Sequence, residues 1–246
     1  EFGARVLAVC NTNSSTIPRE SDAVIYTHAG PEIAVASTKA LLTQIVATFL
    51  IGLHLGEVRG TLNSAQVSEI YNEMLELPAK LEQILETVEP LRELTRKFAA
   101  NNTVLFLGRH VGFPVALEGA LKLKELAYIH AEGFAGGELK HGPIALIEEG
   151  TPVIAIVPNT HEHGLDEKML SNIQEVRARG AKVIAIASEG IEIPGAAHVI
   201  RIPSSPQMLQ PVLATVPLQV FAYEMACARG TDVDQPRNLA KSVTVE

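Results

Sequence analysis

Residues 180–186 read Gly-Ala-Lys-Val-Ile-Ala-Ile, and residues 3–9 carry the same pattern as Gly-Ala-Arg-Val-Leu-Ala-Val, an offset of 177 residues. A short β-branched run follows each copy, at residues 22–26 and 197–201, and the offset has then drifted only to 175. Each copy continues into an apolar segment long enough for a helix. The sequence therefore predicts two related strand–loop–strand–helix units.

The two units are expected to superimpose over residues 3–56 and 180–230, with right-handed crossovers between parallel strands. The alternative is chance similarity, because strand–loop–strand–helix units recur in many folds.

The second copy has more chain of α/β character in front of it than the first. Residues 103–108 and 152–157 are continuous apolar runs typical of buried strands, and residues 113–130 and 166–179 are predicted helices. Apolar runs that alternate with helices indicate a parallel sheet covered on both faces. The predicted fold class is α/β, with two units of parallel sheet flanked by helices, the first unit incomplete at its N-terminus.

The segment between the copies is predicted to be helical. Apolar residues recur every three or four positions between Ser64 and Ala100, and Pro78 and Pro90 are expected to break this run into two or three amphipathic helices. Residues 230–246 match nothing in the first copy and form a tail.

Composition excludes several classes of function. The chain of 246 residues carries 20 Lys+Arg against 28 Asp+Glu, a net charge of −8, and 47% of its residues are hydrophobic. This balance is typical of a soluble globular protein and argues against a nucleic-acid surface. The longest apolar stretch that we identify, at about residues 45–53 and with Thr48 within it, is shorter than the roughly 20 residues of a membrane span. We therefore predict neither a nucleic-acid nor a membrane partner.

Cysteine usage and the start of the chain predict a cytoplasmic location. Cys10 and Cys227 are the two cysteines, too few for a disulfide scaffold, and residues 1–5 show no basic region of a signal peptide.

Three charged residues of one predicted helix share a face. Glu118, Lys122 and Glu125 are spaced at i, i+4 and i+7. The spacing alone favours a solvated salt-bridge ladder over a catalytic group. A carboxylate beside an amine is also suited to moving protons on a small polar molecule.

A histidine follows in a glycine-rich turn. Gly133, Gly136 and Gly137 are expected to end the helix, and His141 lies in Glu138-Leu139-Lys140-His141-Gly142-Pro143. A turn histidine that bonds the backbone is the alternative reading. Residues 161–163 read His-Glu-His but have no further ligands nearby, so we predict no metal site. Phosphate-loop, dinucleotide and hydrolase motifs are missing from the sequence.

The tail, Asp232-Val233-Asp234-Gln235-Pro236-Arg237-Asn238-Leu239-Ala240-Lys241-Ser242-Val243-Thr244-Val245-Glu246, strongly resembles the C-terminus of the isomerising glutamine:fructose-6-phosphate aminotransferases. The Leu-Lys-Glu helix at 123–125, the turn at 137–143 and Val35-Ala36-Ser37-Thr38-Lys39 are similar to that family too. The resemblance covers essentially the whole chain.

The resemblance implies a division into sugar-isomerase (SIS) domains. Residues 1–60 match the C-terminal part of a first SIS domain, residues 61–229 a second, and residues 230–246 a catalytic tail. The family's glutaminase domain, and the Ser/Thr-rich phosphate loop of the first SIS domain, would lie upstream of Gly3.

The resemblance also implies roles for individual residues. Glu125 matches the base that moves a proton between C1 and C2 of fructose 6-phosphate, and Lys122 the lysine that moves the neighbouring hydroxyl proton. His141 matches the histidine that opens the sugar ring, in the family within the site of the partner subunit. Lys241 matches the lysine that forms a Schiff base with the ketose. If the tail folds back over the site, Val243 and Val245 are expected to anchor it by burial. Shielding from water and nearby cations are then expected to free the Lys241 amine for attack. The positions that match sugar contacts are Val35, Ser37 and Ala240.

The partners implied are fructose 6-phosphate and glucosamine 6-phosphate, a second copy of the chain that shares His141, and the glutaminase domain, with no cofactor. The alternative is a non-catalytic SIS module that binds a sugar phosphate to regulate another process. The joint presence of Glu125, His141 and Lys241 favours the enzyme, because a sensor has no need of all three.

Overall fold

The computed structural model describes residues 3–86, 88–159 and 164–241. The strands are β1 (Leu7–Cys10), β2 (Ala23–Tyr26), β3 (Thr103–Gly108), β4 (His130–Ala135), β5 (Pro152–Val157), β6 (Lys182–Ser188) and β7 (His198–Ile202). The α-helices are α1 (Thr16–Glu20), α2 (Lys39–Val58), α3 (Ser64–Leu75), α4 (Leu77–Leu85), α5 (Val88–Phe98), α6 (Gly112–Ala127), α7 (Leu165–Arg177) and α8 (Gln210–Arg229). Two short 3-10 helices, Gly136–His141 and Pro143–Leu146, follow β4.

The chain divides into two compact units. The first runs to Asn72 and also includes Ala240 and Lys241, whereas the second runs from Glu73 to Leu239. Within the described residues the first unit holds the parallel pair β1–β2, and the second holds a parallel sheet of order β4-β3-β5-β6-β7. Numbered within the unit, this is the doubly wound order 2-1-3-4-5.

The register of the strands confirms the internal repeat. Leu7 pairs with Ala23 in the first unit, and Ile184 pairs with His198 in the second, which reproduces the offsets of 177 and 175 residues. The two-residue drift therefore lies in the connection between the paired strands, where the first copy forms α1. Each strand pair leads into a helix of 20 residues, α2 or α8.

Both faces of the five-stranded sheet are covered, as the apolar runs predict. Leu105 and Leu107 of β3 belong to a core cluster with Ile173 of α7. Phe106 lies on the other face and packs against α6: a Cβ added at Gly119 of α6 would lie 2.9 Å from the Phe106 ring. Side chains that alternate across a strand thus separate α7 from α6.

The segment after α6 differs from the sequence-based expectation. The predicted helix 113–130 ends at Ala127, because Tyr128 adopts a left-handed conformation with φ 54°. A strand, β4, begins two residues later, and its glycine-containing sequence hid it. Gly133 is required there, since a Cβ would lie 3.0 Å from the backbone of Leu117 in α6.

The prolines of the connecting segment act as predicted. Pro78 lies in the first turn of α4 and Pro90 in the first turn of α5, positions that proline tolerates because no intrahelical donor is lost there.

Two described helices are long and apolar enough to cross a membrane by length and composition. For α8 about two thirds of the relevant window (67%) is buried, as expected for the core helix of a folded domain, whereas for α2 only 11% is buried. Core helices of soluble proteins pass the same test, so this is weak support for a membrane span.

Candidate functional site

The charged face predicted on α6 is present, and its lysine is buried. Lys122 Nζ lies 2.5 Å from Glu125 Oε2 and 3.4 Å from Glu118 Oε1. Only 2% of the lysine side chain is exposed, against 18% for Glu118 and 22% for Glu125. A solvated ladder is therefore excluded for this trio: the ammonium is held inside the protein by two partly exposed carboxylates.

The two carboxylates are not equivalent. Burial raises the pKa of Glu118 above its ordinary value of 4.5, and the attraction of Lys122 offsets only part of this effect. Glu118 Oε1 is buried and accepts no hydrogen bond from the described residues. Glu125, in contrast, accepts a hydrogen bond from Lys122 through Oε2. Glu125 is thus the carboxylate that the lysine orients.

Glu125 borders an open cleft of about 550 Å³ at the C-terminal end of α6. The cleft is lined by α6 and the following residues on one side and by the tail on the other: Leu121, Lys124, Glu125, Tyr128, Ile129, His130, Arg237, Asn238 and Leu239. A carboxylate at the edge of a cleft can exchange protons with a bound molecule.

The tail is attached to the end of α6 by two contacts with one tyrosine. The guanidinium of Arg237 lies 4.2 Å from the centre of the Tyr128 ring, within cation–π range. The backbone N–H of Arg237 donates to the Tyr128 hydroxyl at 2.7 Å. Further back, Thr231 donates to the carbonyl of Leu126 at 2.6 Å. These contacts fix the segment that leads to Lys241, and the spacing rules did not single out Tyr128.

His141 ends the 3-10 helix that follows β4, and it is exposed. The next residue, Gly142, ends this helix with a φ of 146°, a value that favours glycine, which confirms the expected glycine-dependent turn. Leu139 of the same 3-10 helix is fully buried in the core cluster with Leu107. His141 therefore belongs to an element on the α7 face of the sheet, whereas Glu125 belongs to α6 on the opposite face.

In the first unit, Lys241 meets the loop that follows β2. Its Nζ forms an ion pair with Glu32 Oε2 at 2.8 Å and donates to the carbonyls of Ala34 and Val35 at 3.2 and 3.3 Å. Ser37 donates to the other oxygen of Glu32 at 3.3 Å. The structure thus gathers three predicted site residues, Lys241, Val35 and Ser37, around a carboxylate that sequence reasoning missed.

The environment of Lys241 differs from the expected one. Shielding from water and nearby cations was the predicted means of freeing its amine, yet 42% of the side chain is exposed and its charged partner is an anion. Ala240 is exposed beside Lys241. The predicted anchors Val243 and Val245, and the His-Glu-His run at 161–163, lie outside the described residues.

The chain is similar to known proteins over its whole length. The chain is 65% identical to the glutamine–fructose-6-phosphate aminotransferase (isomerizing) of Streptomyces coelicolor over 249 residues, which is 100% of this chain and 40% of that protein. The Mycobacterium tuberculosis protein of the same name is 60% identical with the same coverage. The chain thus spans 40% of the length of these curated relatives.

A solved structure is similar as well. The C-terminal domain of glucosamine-fructose-6-phosphate aminotransferase from Francisella tularensis superimposes with a TM-score of 0.89 at 39% identity, covering 94% of this chain and 65% of that one. The model of the SIS domain family matches residues 1–52 and 97–229, which include the paired strands of both copies of the repeat. The chain therefore belongs to the SIS domain family.

Proposed function

We propose that this chain is the sugar-isomerising part of an isomerising glutamine–fructose-6-phosphate aminotransferase. Such an enzyme converts fructose 6-phosphate and ammonia from glutamine into glucosamine 6-phosphate. Relatives of that name, at 60–65% identity over the whole chain, support the proposal. The observation that carries it is the buried Lys122 held against Glu125 at the edge of a cleft. A binding module has no need of a buried lysine that orients a carboxylate.

In this proposal Glu125 takes a proton from C1 of the open-chain sugar and returns it at C2. A carboxylate within reach of both carbons passes one proton between them without any cofactor. Lys122 keeps Glu125 Oε2 at 2.5 Å, which fixes the carboxylate and supplies a donor for the neighbouring sugar hydroxyl. Glu118 holds the opposite side of the ammonium at 3.4 Å.

Lys241 forms the Schiff base with the ketose, and Val35, Ser37 and Ala240 contact the sugar. The hydrogen bond from Lys241 to the carbonyl of Val35 supports this grouping, since the nucleophile and a predicted sugar contact are neighbours.

We also propose the domain assignment of residues 1–60 to a first SIS domain, 61–229 to a second and 230–246 to a catalytic tail. The repeated strand register supports a pair of related domains. Cys10 and Cys227 are free thiols, which supports a cytoplasmic location.

The functional enzyme in this proposal is a homodimer in which His141 completes the site of the partner. The placement of His141 and Glu125 on elements at opposite faces of one sheet supports a shared site. Co-expression of His141→Ala and Glu125→Gln chains tests it, because a mixed dimer carries one site with both residues intact. Random pairing should then give about a quarter of wild-type activity. If each site is instead built from the residues of a single chain, the mixture should show no activity.

The activity itself is tested with Lys241→Ala in the full-length enzyme. Synthesis of glucosamine 6-phosphate should be abolished while glutamine hydrolysis continues, and borohydride should trap fructose 6-phosphate on Lys241 of the wild type. A chain that binds fructose 6-phosphate without turning it over would identify the regulatory alternative.

A further inference from the structure

The ammonium of Lys241 has one acceptor for each of its three N–H groups. These acceptors are Glu32 Oε2 at 2.8 Å and the carbonyls of Ala34 and Val35 at 3.2 and 3.3 Å. All three N–H groups of the Lys241 head therefore have an acceptor within reach. The proposed Schiff-base chemistry begins from a lysine that is already held beside a carboxylate.

We propose that Glu32 is the counter-ion of the Schiff base that Lys241 forms with fructose 6-phosphate, an inference that rests on the proposed function. The overall step conserves charge at nitrogen. The ammonium gives up a proton, the amine nitrogen bonds to C2, and the ketose oxygen leaves as water, so that R–NH3⁺ and C=O become R–NH⁺=C and H2O. The carboxylate that pairs the ammonium before the step pairs the iminium after it.

The nitrogen of Lys241 has fewer N–H groups after the step, and this accounts for the different roles of its three acceptors. The iminium keeps one N–H, which remains with Glu32, while the carbonyls of Ala34 and Val35 are released. A protonated iminium is the electrophilic form, which nucleophiles attack and which makes the proton at C1 easier to remove. A carboxylate placed beside it keeps it in that form.

The orientation of Glu32 is set by its surroundings. Ser37 Oγ donates to Glu32 Oε1 at 3.3 Å, which leaves Oε2 for the nitrogen of Lys241. Only 17% of the Glu32 side chain is exposed, so its charge acts at short range with limited screening. The carboxylate is thus held in place before the sugar arrives.

Other charged groups near this segment must be considered in any pH experiment. In the first unit, Lys39 at the start of α2 donates from Nζ to the carbonyl of Pro31 at 2.8 Å, one residue before Glu32. Lys39 is unchanged in every variant below, so its contribution cancels in the comparison.

The experiment measures reductive trapping as a function of pH in the full-length enzyme. Wild type, Glu32→Gln and Glu32→Ala are incubated with fructose 6-phosphate and cyanoborohydride, and mass spectrometry quantifies the sugar adduct on Lys241. Loss of the counter-ion should move the pH at which trapping halves downward by about one to two units. Trapping on the alkaline side then falls roughly tenfold. Glu57→Gln, an exposed glutamate of α2, is the matched control and should follow the wild type.

The outcomes separate the two proposals. Wild-type trapping on Lys241 with an unshifted profile in both neutral variants overturns the role of Glu32 and leaves the proposed function standing. A wild type that is not trapped on Lys241 overturns the proposed function. Glu32→Asp keeps the charge and should keep the wild-type midpoint, so a shift in Glu32→Asp equal to that in Glu32→Gln also contradicts the counter-ion role.

Discussion

Replacing Lys122 by methionine removes the cation that two carboxylates of α6 share. Methionine preserves most of the apolar stem, so the change isolates the charge. At an effective dielectric constant of about 20, each contact contributes a gross attraction of roughly 5–7 kcal/mol. Most of that attraction offsets the cost of burying the ammonium, of whose side chain only 2% is exposed.

The net loss follows from what remains after the substitution. Glu118 and Glu125 would face each other without a cation, and breaking a buried ion pair costs about 3–5 kcal/mol. Because the two carboxylates are 18% and 22% exposed, water relieves part of this cost. We therefore expect Lys122→Met to lower the free energy of unfolding by about 3 kcal/mol, a fall in melting temperature of roughly 6–12 °C.

Urea unfolding followed by circular dichroism measures the change. Lys124→Met is the matched control, since Lys124 is exposed on the same helix and should alter stability by less than about 0.5 kcal/mol. Adding Glu118→Gln to Lys122→Met removes one stranded charge and should restore stability relative to the single variant. If Lys122→Met loses no more than Lys124→Met, the buried ion pair does not stabilise the fold and the reasoning is refuted.

Three further variants test other contacts. Since burial raises the pKa of Glu118 above 4.5, the folded protein binds the proton more tightly than the unfolded chain, so wild-type stability should fall as pH rises from that value. Glu118→Gln should flatten this slope in urea titrations, and parallel slopes would contradict the assignment. Arg92→Met should lower the free energy of unfolding, because the buried Glu224 carboxylate loses two hydrogen bonds of 2.9 and 3.1 Å. Adding Glu224→Leu should recover most of this loss. If the effects of the two substitutions on the free energy of unfolding simply add in the double variant, the pairing is disproved. Tyr128→Leu should cost about 1–2 kcal/mol through the lost ring and hydroxyl contacts and should speed tryptic cleavage after Arg237; unchanged cleavage would show that the tail is held elsewhere.

Local sequence patterns predicted the central strands of the sheet and the charged face of α6, because short runs and spacings of residues determine both. The continuous apolar runs of β3, β5 and β6 are buried on both faces, which only central strands of a covered parallel sheet require. The spacing of Glu118, Lys122 and Glu125 placed them on one helix face for the same reason.

The missed features depend on contacts that the local sequence does not encode. Glu32 meets Lys241 across more than 200 positions of sequence, and the residues around Glu32 follow no pattern that marks a partner. The left-handed conformation of Tyr128 is unusual for an aromatic residue, and the ring and hydroxyl of this residue contact the tail, which is distant in sequence. β4 escaped notice because its edge position tolerates a glycine that close packing against α6 demands.

The contrast between α2 and α8 has a practical consequence for handling the chain on its own. Both helices are 20 residues long and apolar, but α2 has a window that is only 11% buried and a mean hydropathy of 1.6. At neutral pH the net charge of −8 opposes self-association of that surface, and this repulsion vanishes near the pI of 5.5. We expect a solubility minimum close to pH 5.5, deepened by sulfate salts, and purification well above that pH should keep the chain dispersed.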